Sequence, residues 1–459
     1  MRLIAFYLPQ FHPIPENDLW WGKGFTEWTN VTRAVPIFEG HHQPQLSADL
    51  GFYDLRVPET REAQAKLARA HGIFGFCYYY YWFNGKKLLQ RPLEEVVASR
   101  KPDFPFCVCW ANENWTRRWD GGESKILIEQ RHSESGDREF LRTLLPILQD
   151  RRYIRVDGKP LLLIYRTDLF SNPRRSTQIW REEAAKASLE LYLVRGEGYS
   201  TCQPESIGFD AAHEFPPIGL PVDLSVDPSR LRVYRPQEFS FRLHDYRKLA
   251  DFMMRREEAD YTRFHGVMVA WDNTARRRNN ADIFVNGDPI AYWAWLSEAI
   301  QKTSRMPHDK QLIFVNAWNE WAEGCHLEPD QRYKRAYLEA TSAALAGEQF
   351  AFSENHGDPA DSDLSVEQTD DKPEEDGQAR ATAQKMADRY WHSTSWQITS
   401  PLRTVARHFQ SLPKETRPMV NSPADAEDLI SKIRGSISWK LTAPIRWAGS
   451  FFSQPNERN

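Results

Sequence analysis

Short apolar runs recur along the first three-quarters of the chain, and most are continuous rather than alternating. They are Leu3–Leu8, Ile73–Tyr81, Phe104–Trp110, Leu161–Tyr165, Leu191–Arg195, Phe209–His213, Phe264–Trp271 and Leu312–Trp318. A strand buried on both faces reads this way, as in a parallel sheet covered by helices. Segments with helical spacing lie between the runs. Thr60–Ala70 is charged and alanine-rich and ends at Gly72, and Asp137–Leu148 carries leucines at helical intervals. Thr177–Leu189 and Pro289–Lys302 are amphipathic, and Arg332–Leu345 follows the last run. Eight strand-then-helix units in about 345 residues predict an α/β fold, a (β/α)8 barrel of the TIM type. The competing architecture is a doubly wound open sheet, but no Gly-x-Gly-x-x-Gly follows the first run.

Past Ala351 the pattern dissolves. Asp, Glu, Ser, Gly and Pro dominate to about Arg380 and apolar residues are few, which predicts a disordered acidic linker over residues 350–385. Residues 386–459 form a short helical tail with an internal repeat. Ser395-Trp396-Gln397-Ile398-Thr399-Ser400-Pro401-Leu402-Arg403 matches Ser438-Trp439-Lys440-Leu441-Thr442-Ala443-Pro444-Ile445-Arg446, 43 residues on. A modest basic excess and four tryptophans suit this tail to an anionic lipid surface or a protein partner; packing on the barrel as small helices is the plainer reading. The barrel is thus expected over residues 1–349.

A formal charge of −4 gives no footing for a nucleic-acid partner. The 17 tryptophans, 17 tyrosines and 25 phenylalanines exceed what a core needs, and part of the excess suits a stacking ligand. The five cysteines are odd in number and show no metal-type spacing, which reads as a reducing compartment; neither a metal nor a cofactor is expected. Cys107 and Cys109 share one strand face, poor geometry for a mutual disulfide. The opening Met-Arg-Leu-Ile-Ala-Phe-Tyr-Leu-Pro is too short for a signal core, and no run of 18 apolar residues exists. The expected location is the cytoplasm, peripheral to the inner face of the plasma membrane.

The barrel assignment makes its own test, because active residues belong where strands end. Polar and aromatic residues do collect there. Gln10, His12, Glu27 and Trp28 follow the first run, and Tyr78-Tyr79-Tyr80-Tyr81 closes the second. Alternation puts half of that tyrosine run in the core and leaves Tyr79 and Tyr81 for a ligand. Trp110, Asn112, Glu113, Asn114 and Trp115 follow the third run, with Arg117, Arg118 and Asp120 beyond; the arginines either pair with nearby acids or hold an anionic group. Arg166 and Asp168, then Glu197, then Glu214 end the next three. Trp271 and Asp272 end the seventh; Trp271 serves packing as readily as binding. The eighth ends in Asn319-Glu320-Trp321-Ala322-Glu323-Gly324. Two carboxylates three residues apart, wrapped in indoles and amides beyond a buried strand, suit glycosidic chemistry. One carboxyl moves a proton while the other stays ionised near developing positive charge. Indole faces meet sugar rings and amides meet their hydroxyls. Glu320 and Glu323 are therefore the candidate catalytic pair, with Asn319 and Trp321 beside them.

Four stretches also carry a resemblance. Ala5-Phe6-Tyr7-Leu8-Pro9-Gln10-Phe11-His12, Gly24-Phe25-Thr26-Glu27-Trp28, Cys109-Trp110-Ala111-Asn112-Glu113-Asn114-Trp115 and Ala317-Trp318-Asn319-Glu320-Trp321-Ala322-Glu323-Gly324 resemble the WbsX-type proteins of bacterial surface-polysaccharide clusters. Those in turn are similar to the endo-α-mannosidases of glycoside hydrolase family 99. The resemblance spans roughly residues 1–345. It implies a (β/α)8 barrel and a retaining reaction in which the substrate's own 2-hydroxyl is the internal nucleophile, through a 1,2-anhydro sugar. It implies that Glu320 handles the 2-hydroxyl proton and that Glu323 is acid and then base at the glycosidic oxygen. Ala322 departs from the larger polar residue of the mannosidases. The tail repeat looks like elements that flank glycosyltransferase modules of surface-glycan synthesis. The implied function is a retaining glycosyltransferase or transglycosylase of O-antigen or capsule assembly, with an endo-acting hydrolase as the alternative. The implied partners are an oligo- or polysaccharide, a nucleotide-sugar donor and a lipid-linked acceptor.

Overall fold

The computed structural model describes residues 1–352 apart from 118–121, 201, 235–236 and 238, and without the side chains of 117, 122–125 and 230. The linker beyond residue 352, the tail and its repeat, and the stretch from Arg118 to Asp120 lie outside the described residues.

Eight parallel strands close on themselves. They are β1 (Arg2–Tyr7), β2 (Ile73–Phe83), β3 (Phe106–Trp110), β4 (Lys159–Ile164), β5 (Tyr192–Gly196), β6 (Ala211–His213), β7 (Arg263–Met268) and β8 (Leu312–Asn316). Each pairs with its successor, and β8 returns to β1 with Arg2 opposite Leu312 and Ala5 opposite Val315. The fold is the (β/α)8 barrel expected from the continuous apolar runs. Helices α1 (Pro58–Ala70), α2 (Arg91–Ser99), α3 (Glu134–Leu148), α4 (Pro173–Ala185), α5 (Tyr246–Arg255), α6 (Pro289–Thr303) and α7 (Ala336–Ala346) pack outside. The fourth helix starts and stops earlier than its apolar spacing suggested. Asn172 caps it by accepting the Arg175 N–H, Pro173 fits its first turn, and Ser188 has left helical space at φ 57°. The helices α2 and α5 were missed because each is short and holds only one apolar stripe.

Alternation along β2 divides its tyrosines. Tyr78 and Tyr80 are buried towards the helices, whereas Tyr79 stacks on Phe6, 5.4 Å between ring centres, on the inward face. Tyr81 continues that inward row towards the rim, edge-on to Trp115.

A second sheet, unforeseen from the sequence, stands at the side of the barrel. Ser225–Val226 runs antiparallel to Phe241–Asp245, which pairs in parallel with Ala281–Val285. Their alternating pattern buries one face, and Ile37, Phe38, Leu243 and Ile283 form a small core of their own there. All five cysteines are free thiols. Among the described residues no helix is long and apolar enough to cross a membrane.

Candidate active site at the carboxyl rim

The last barrel strand does not stop cleanly; its continuation is zipped to that of β1. Trp318 donates its N–H to the Phe6 carbonyl at 2.8 Å, and Asn319 clamps Leu8 through both its amide groups, at 2.7 and 3.0 Å. This fixes the backbone one residue before Glu320. The chain then turns tightly through Trp321–Glu323 to Gly324 at φ +58°, where a side chain would press on Asp272 and Gln45. Beneath the turn the buried Glu328 carboxylate accepts from Tyr53, Gln64 and Trp321 at 2.6–2.7 Å. Burial pushes the Glu328 carboxyl up to about 7 despite these donors.

Three carboxylates converge above this platform on one cation, Arg276. Its Nε meets Glu27 at 2.6 Å, its Nη2 meets Glu320 at 2.8 Å, and its Nη1 meets Glu323 at 2.6 Å. The side chains of Glu27 and Glu320 are 0% and 7% exposed, whereas Glu323 is 22% exposed and is the one that solvent reaches. One guanidinium cannot balance three negative charges, two of them buried. Burial, with Glu323 and Glu27 adding repulsion against the pull of Arg276, pushes the Glu320 carboxyl up to about 8. Burial and crowding thus favour the protonated form of Glu320, and the pull of Arg276 favours the ionised one. Burial and the Glu320 charge also push the Tyr79 and Tyr81 hydroxyls well above their ordinary value, so both stay neutral donors beside it.

Sequence reasoning missed Arg276, which lies in an Arg-Arg-Arg run that reads as solvated surface. Its location just past Asp272-Asn273, at the end of β7, was the available signal. The loop is held rigidly. Asp272 accepts from Gln43, Thr274 and its own partner His41 at 2.6–3.0 Å, and its N–H bonds the Glu323 carbonyl at 2.7 Å. Burial alone would raise the Asp272 carboxyl, but His41 and these donors outweigh it and hold it below its ordinary value. The Arg276 N–H then bonds the Asn273 carbonyl at 3.0 Å.

The structure gives the remaining candidates distinct places. Gln10 is buried and donates to Glu27 at 3.1 Å. Tyr79 and Tyr81 line the inward face beside Glu320, and Trp115 borders them. Several others are spent on architecture. Trp110 is 1% exposed, stacks on Phe140 at 3.8 Å and donates to the Trp82 carbonyl, so it offers no face to a sugar. Trp28 is buried against Tyr53, and Trp321 stacks on His326 while bonding Glu328. Asn112 clamps the Arg166 backbone at 2.8 Å twice, and Asn114 accepts the Gln130 N–H. Asn319 and Asp272 are the braces described above. Glu113 faces Arg166 at 3.3 Å, and Arg166 pairs also with Asp168. His12 is buried among Asp54, Arg56 and Arg91 and burial pushes it down to about 4, so it is neutral at pH 7. Trp271 is half-buried and walls a groove at the rim.

Glu197 and Glu214 end β5 and β6 but point outward, into the helix layer. Arg256 meets both at 2.8 and 2.9 Å, and Arg263 and His265 lie 3.4 Å from Glu214. Burial alone would raise the Glu214 carboxyl, but His265, Arg263 and Arg256 outweigh it and hold it below its ordinary value.

Residues 3–341 match the family profile described as glycosyltransferase WbsX. The chain is 47% identical over 348 residues to the protein WxcX from two strains of Xanthomonas campestris pv. campestris, a match covering 75% of this chain and 49% of the relative. The chain thus spans about half the length of the curated relatives it matches. Among solved structures it is similar to the GH99 endo-alpha-mannosidase from Bacteroides thetaiotaomicron, at 15% identity and a TM-score of 0.48, covering 75% of this chain and 97% of that one. A second structure, a glycoside hydrolase-like protein, matches at 14% identity and a TM-score of 0.47, covering 75% and 93%.

Proposed function

The chain belongs to the glycosyltransferase WbsX family, and on that premise we propose that it is a carbohydrate-active enzyme that transfers glycosyl units, with retention, in the assembly of bacterial surface polysaccharide. The observation that carries the reading is the single guanidinium joining Glu320, Glu323 and Glu27 at the open end of the barrel. Catalysis is assigned to residues 1–349. Residues 350–385 act as a linker, and residues 386–459 bring the barrel to a membrane surface or a partner protein.

Two carboxyls three residues apart on one guanidinium suit a reaction that moves two protons in opposite senses. In the productive form the proton sits on Glu323 and Glu320 is ionised, held so by Arg276. Glu320 takes the proton of the substrate's 2-hydroxyl as that oxygen closes on C1. Glu323 gives its proton to the departing glycosidic oxygen. The acceptor hydroxyl then returns a proton to Glu323 as it opens the 1,2-anhydro ring, and Glu320 returns its proton to O2. The greater exposure of Glu323 supports this division, because the leaving group and the acceptor both arrive from outside. Water in place of the acceptor turns the same cycle into endo-acting hydrolysis, the second reading, and the same exposure favours it.

The test is a product assay of purified protein with nucleotide sugars plus lipid-linked acceptors, run beside intact polysaccharide. A new glycosidic linkage of retained configuration supports transfer, and new reducing ends support hydrolysis. Inverted products would sink the two-proton cycle.

A further inference from the structure

A strap of chain, residues 41–48, joins the two loops that carry the centre. One is the loop after β7 that ends in Arg276, and the other is the turn Trp321–Glu323 with the chain that follows it. At one end of the strap His41 and Gln43, 8% and 7% exposed, meet the same oxygen of Asp272, Oδ2, at 2.8 and 2.7 Å. The other oxygen, Oδ1, accepts the backbone N–H and the hydroxyl of Thr274 at 3.0 and 2.6 Å. Asp272 thus caps the short turn Asn273–Ala275, and Arg276 is the next residue. At the other end Gln45 bonds His326 at 2.9 Å, and His326 stacks on Trp321 at 3.8 Å between ring centres. The Leu46 carbonyl accepts the Gln331 N–H, and Ala48 donates its N–H to the Pro329 carbonyl, both at 2.9 Å.

The part His41 plays is set by its other neighbours. The Ile37 N–H donates to Nδ1 at 3.1 Å, so the ring proton is on Nε2 and is given to Asp272. Phe38 stacks on the same ring at 4.6 Å. Ile37 and Phe38 belong to the small core beside the barrel, so His41 is anchored there while it holds Asp272. Three contacts at 2.6–2.8 Å leave Arg276 little room to move, because hydrogen bonds weaken beyond about 3.2 Å.

We propose that His41, Gln43 and Gln45 are positioning residues, and that the strap they form sets where Arg276 stands against Glu320 and Glu323. The inference rests on the reading above, in which Arg276 holds Glu320 ionised, and assigns the residues that act through Arg276. Burial raises the Glu320 carboxyl, and Arg276 is the main pull against it. Glu323, Glu27, Tyr79, Tyr81 and Cys325 are the other titratable groups around Glu320. A loosened strap lets Arg276 drift from this group, so Glu320 keeps its proton to higher pH.

The test needs no substrate. Full-length protein is labelled with carbon-13 at its glutamate carboxyls and titrated by NMR, the Glu320 resonance being the one lost in Glu320→Gln. His41→Ala should raise the midpoint of Glu320 by about half a pH unit or more. His41→Gln, which keeps an uncharged donor for Asp272, should restore it. Gln43→Ala should raise it in the same direction and decides the matter if His41→Ala fails to fold. Glu214→Gln is the control, a destabilised protein whose Glu320 midpoint should stay in place. A midpoint unmoved in folded His41→Ala and Gln43→Ala overturns the inference, as does a shift of equal size in Glu214→Gln or one that His41→Gln leaves in place. Turnover of nucleotide sugars with lipid-linked acceptors that survives Glu320→Gln would remove the transfer reading, while the titration would still decide whether the strap places Arg276.

Discussion

Two groups of buried carboxylates end strands of the same barrel and respond to burial in opposite ways. Glu214, with Glu197 beside it, faces Arg256, Arg263 and His265, and its carboxyl is held below the ordinary value. Glu320, with Glu323 and Glu27, shares one Arg276 and is pushed up to about 8. Burial disfavours the charged form in both places. The number of cations decides the sign. An acid whose charge is fully matched serves the fold, whereas an acid left short of cations is a candidate for proton transfer.

The largest effect expected from breaking this contrast is on stability at the matched site. Glu214→Gln takes the counter-charge from buried Arg263 and His265 and leaves Arg256 with Glu197 alone, and should cost about 3–5 kcal/mol, read by denaturant unfolding. Turnover per folded molecule should stay unchanged; a catalytic defect at full folding would erase the distinction. The mirror experiment is Glu320→Gln or Glu323→Gln. Each should cut turnover by at least ~100-fold, the scale for a positioned proton-transfer group, with the fold intact. A donor with a good leaving group should partly rescue Glu323→Gln and leave Glu320→Gln inactive. Equal rescue of both would show that their roles are not divided.

Gly324→Ala comes next. The left-handed backbone and the close approach to Asp272 predict a loss of about 1–3 kcal/mol, visible as a lower thermal midpoint with turnover reduced, because Glu323 and the Arg276 loop are displaced together. The last effect is the pH dependence of stability. The Glu320 carboxyl lies above its ordinary value of 4.5 in the folded state, so ionising it works against folding. Its contribution is most favourable below about pH 4.5 and declines as the pH climbs towards about 8. Glu320→Gln should flatten the stability profile in that window, and Glu214→Gln should not. A profile unchanged by Glu320→Gln would mean Arg276 neutralises the cluster fully.

What was legible in the chain follows the same physics. Continuous apolar runs give away a strand buried on both faces, so all eight barrel strands and five of their helices could be read. The side sheet carries the alternating signature in Phe241–Asp245 and Ala281–Val285, but the first falls in the long insertion between β6 and β7 and the second between β7 and β8, where no strand was sought. The Glu320 and Glu323 pair stood out as a candidate because residue type and strand position coincide. Residue type alone could not divide the aromatic and amide residues around it: Trp110, Trp321 and Asn319 have the character of sugar contacts but are consumed in packing and clamping. Arg276 and Glu328 were hidden for the opposite reason. Most of their partners lie far away in sequence, and an arginine or a lone glutamate in a loop has no local mark of burial.

The small core of Ile37, Phe38, Leu243 and Ile283 has a consequence for motion. Phe284 in the side sheet bonds the Trp271 carbonyl, and the Asp282 N–H bonds Asn273, so this sheet holds the loop that carries Arg276. Four buried side chains make a far weaker unit than the barrel core. In native-state hydrogen exchange the amides of Phe241–Asp245 and Ala281–Val285 should open as one block, well below the free energy needed to open the barrel strands. Each such excursion would free the Arg276 loop from its brace while β1 and β8 stayed paired, making the counter-charge of the centre the most easily loosened part of an otherwise rigid cradle.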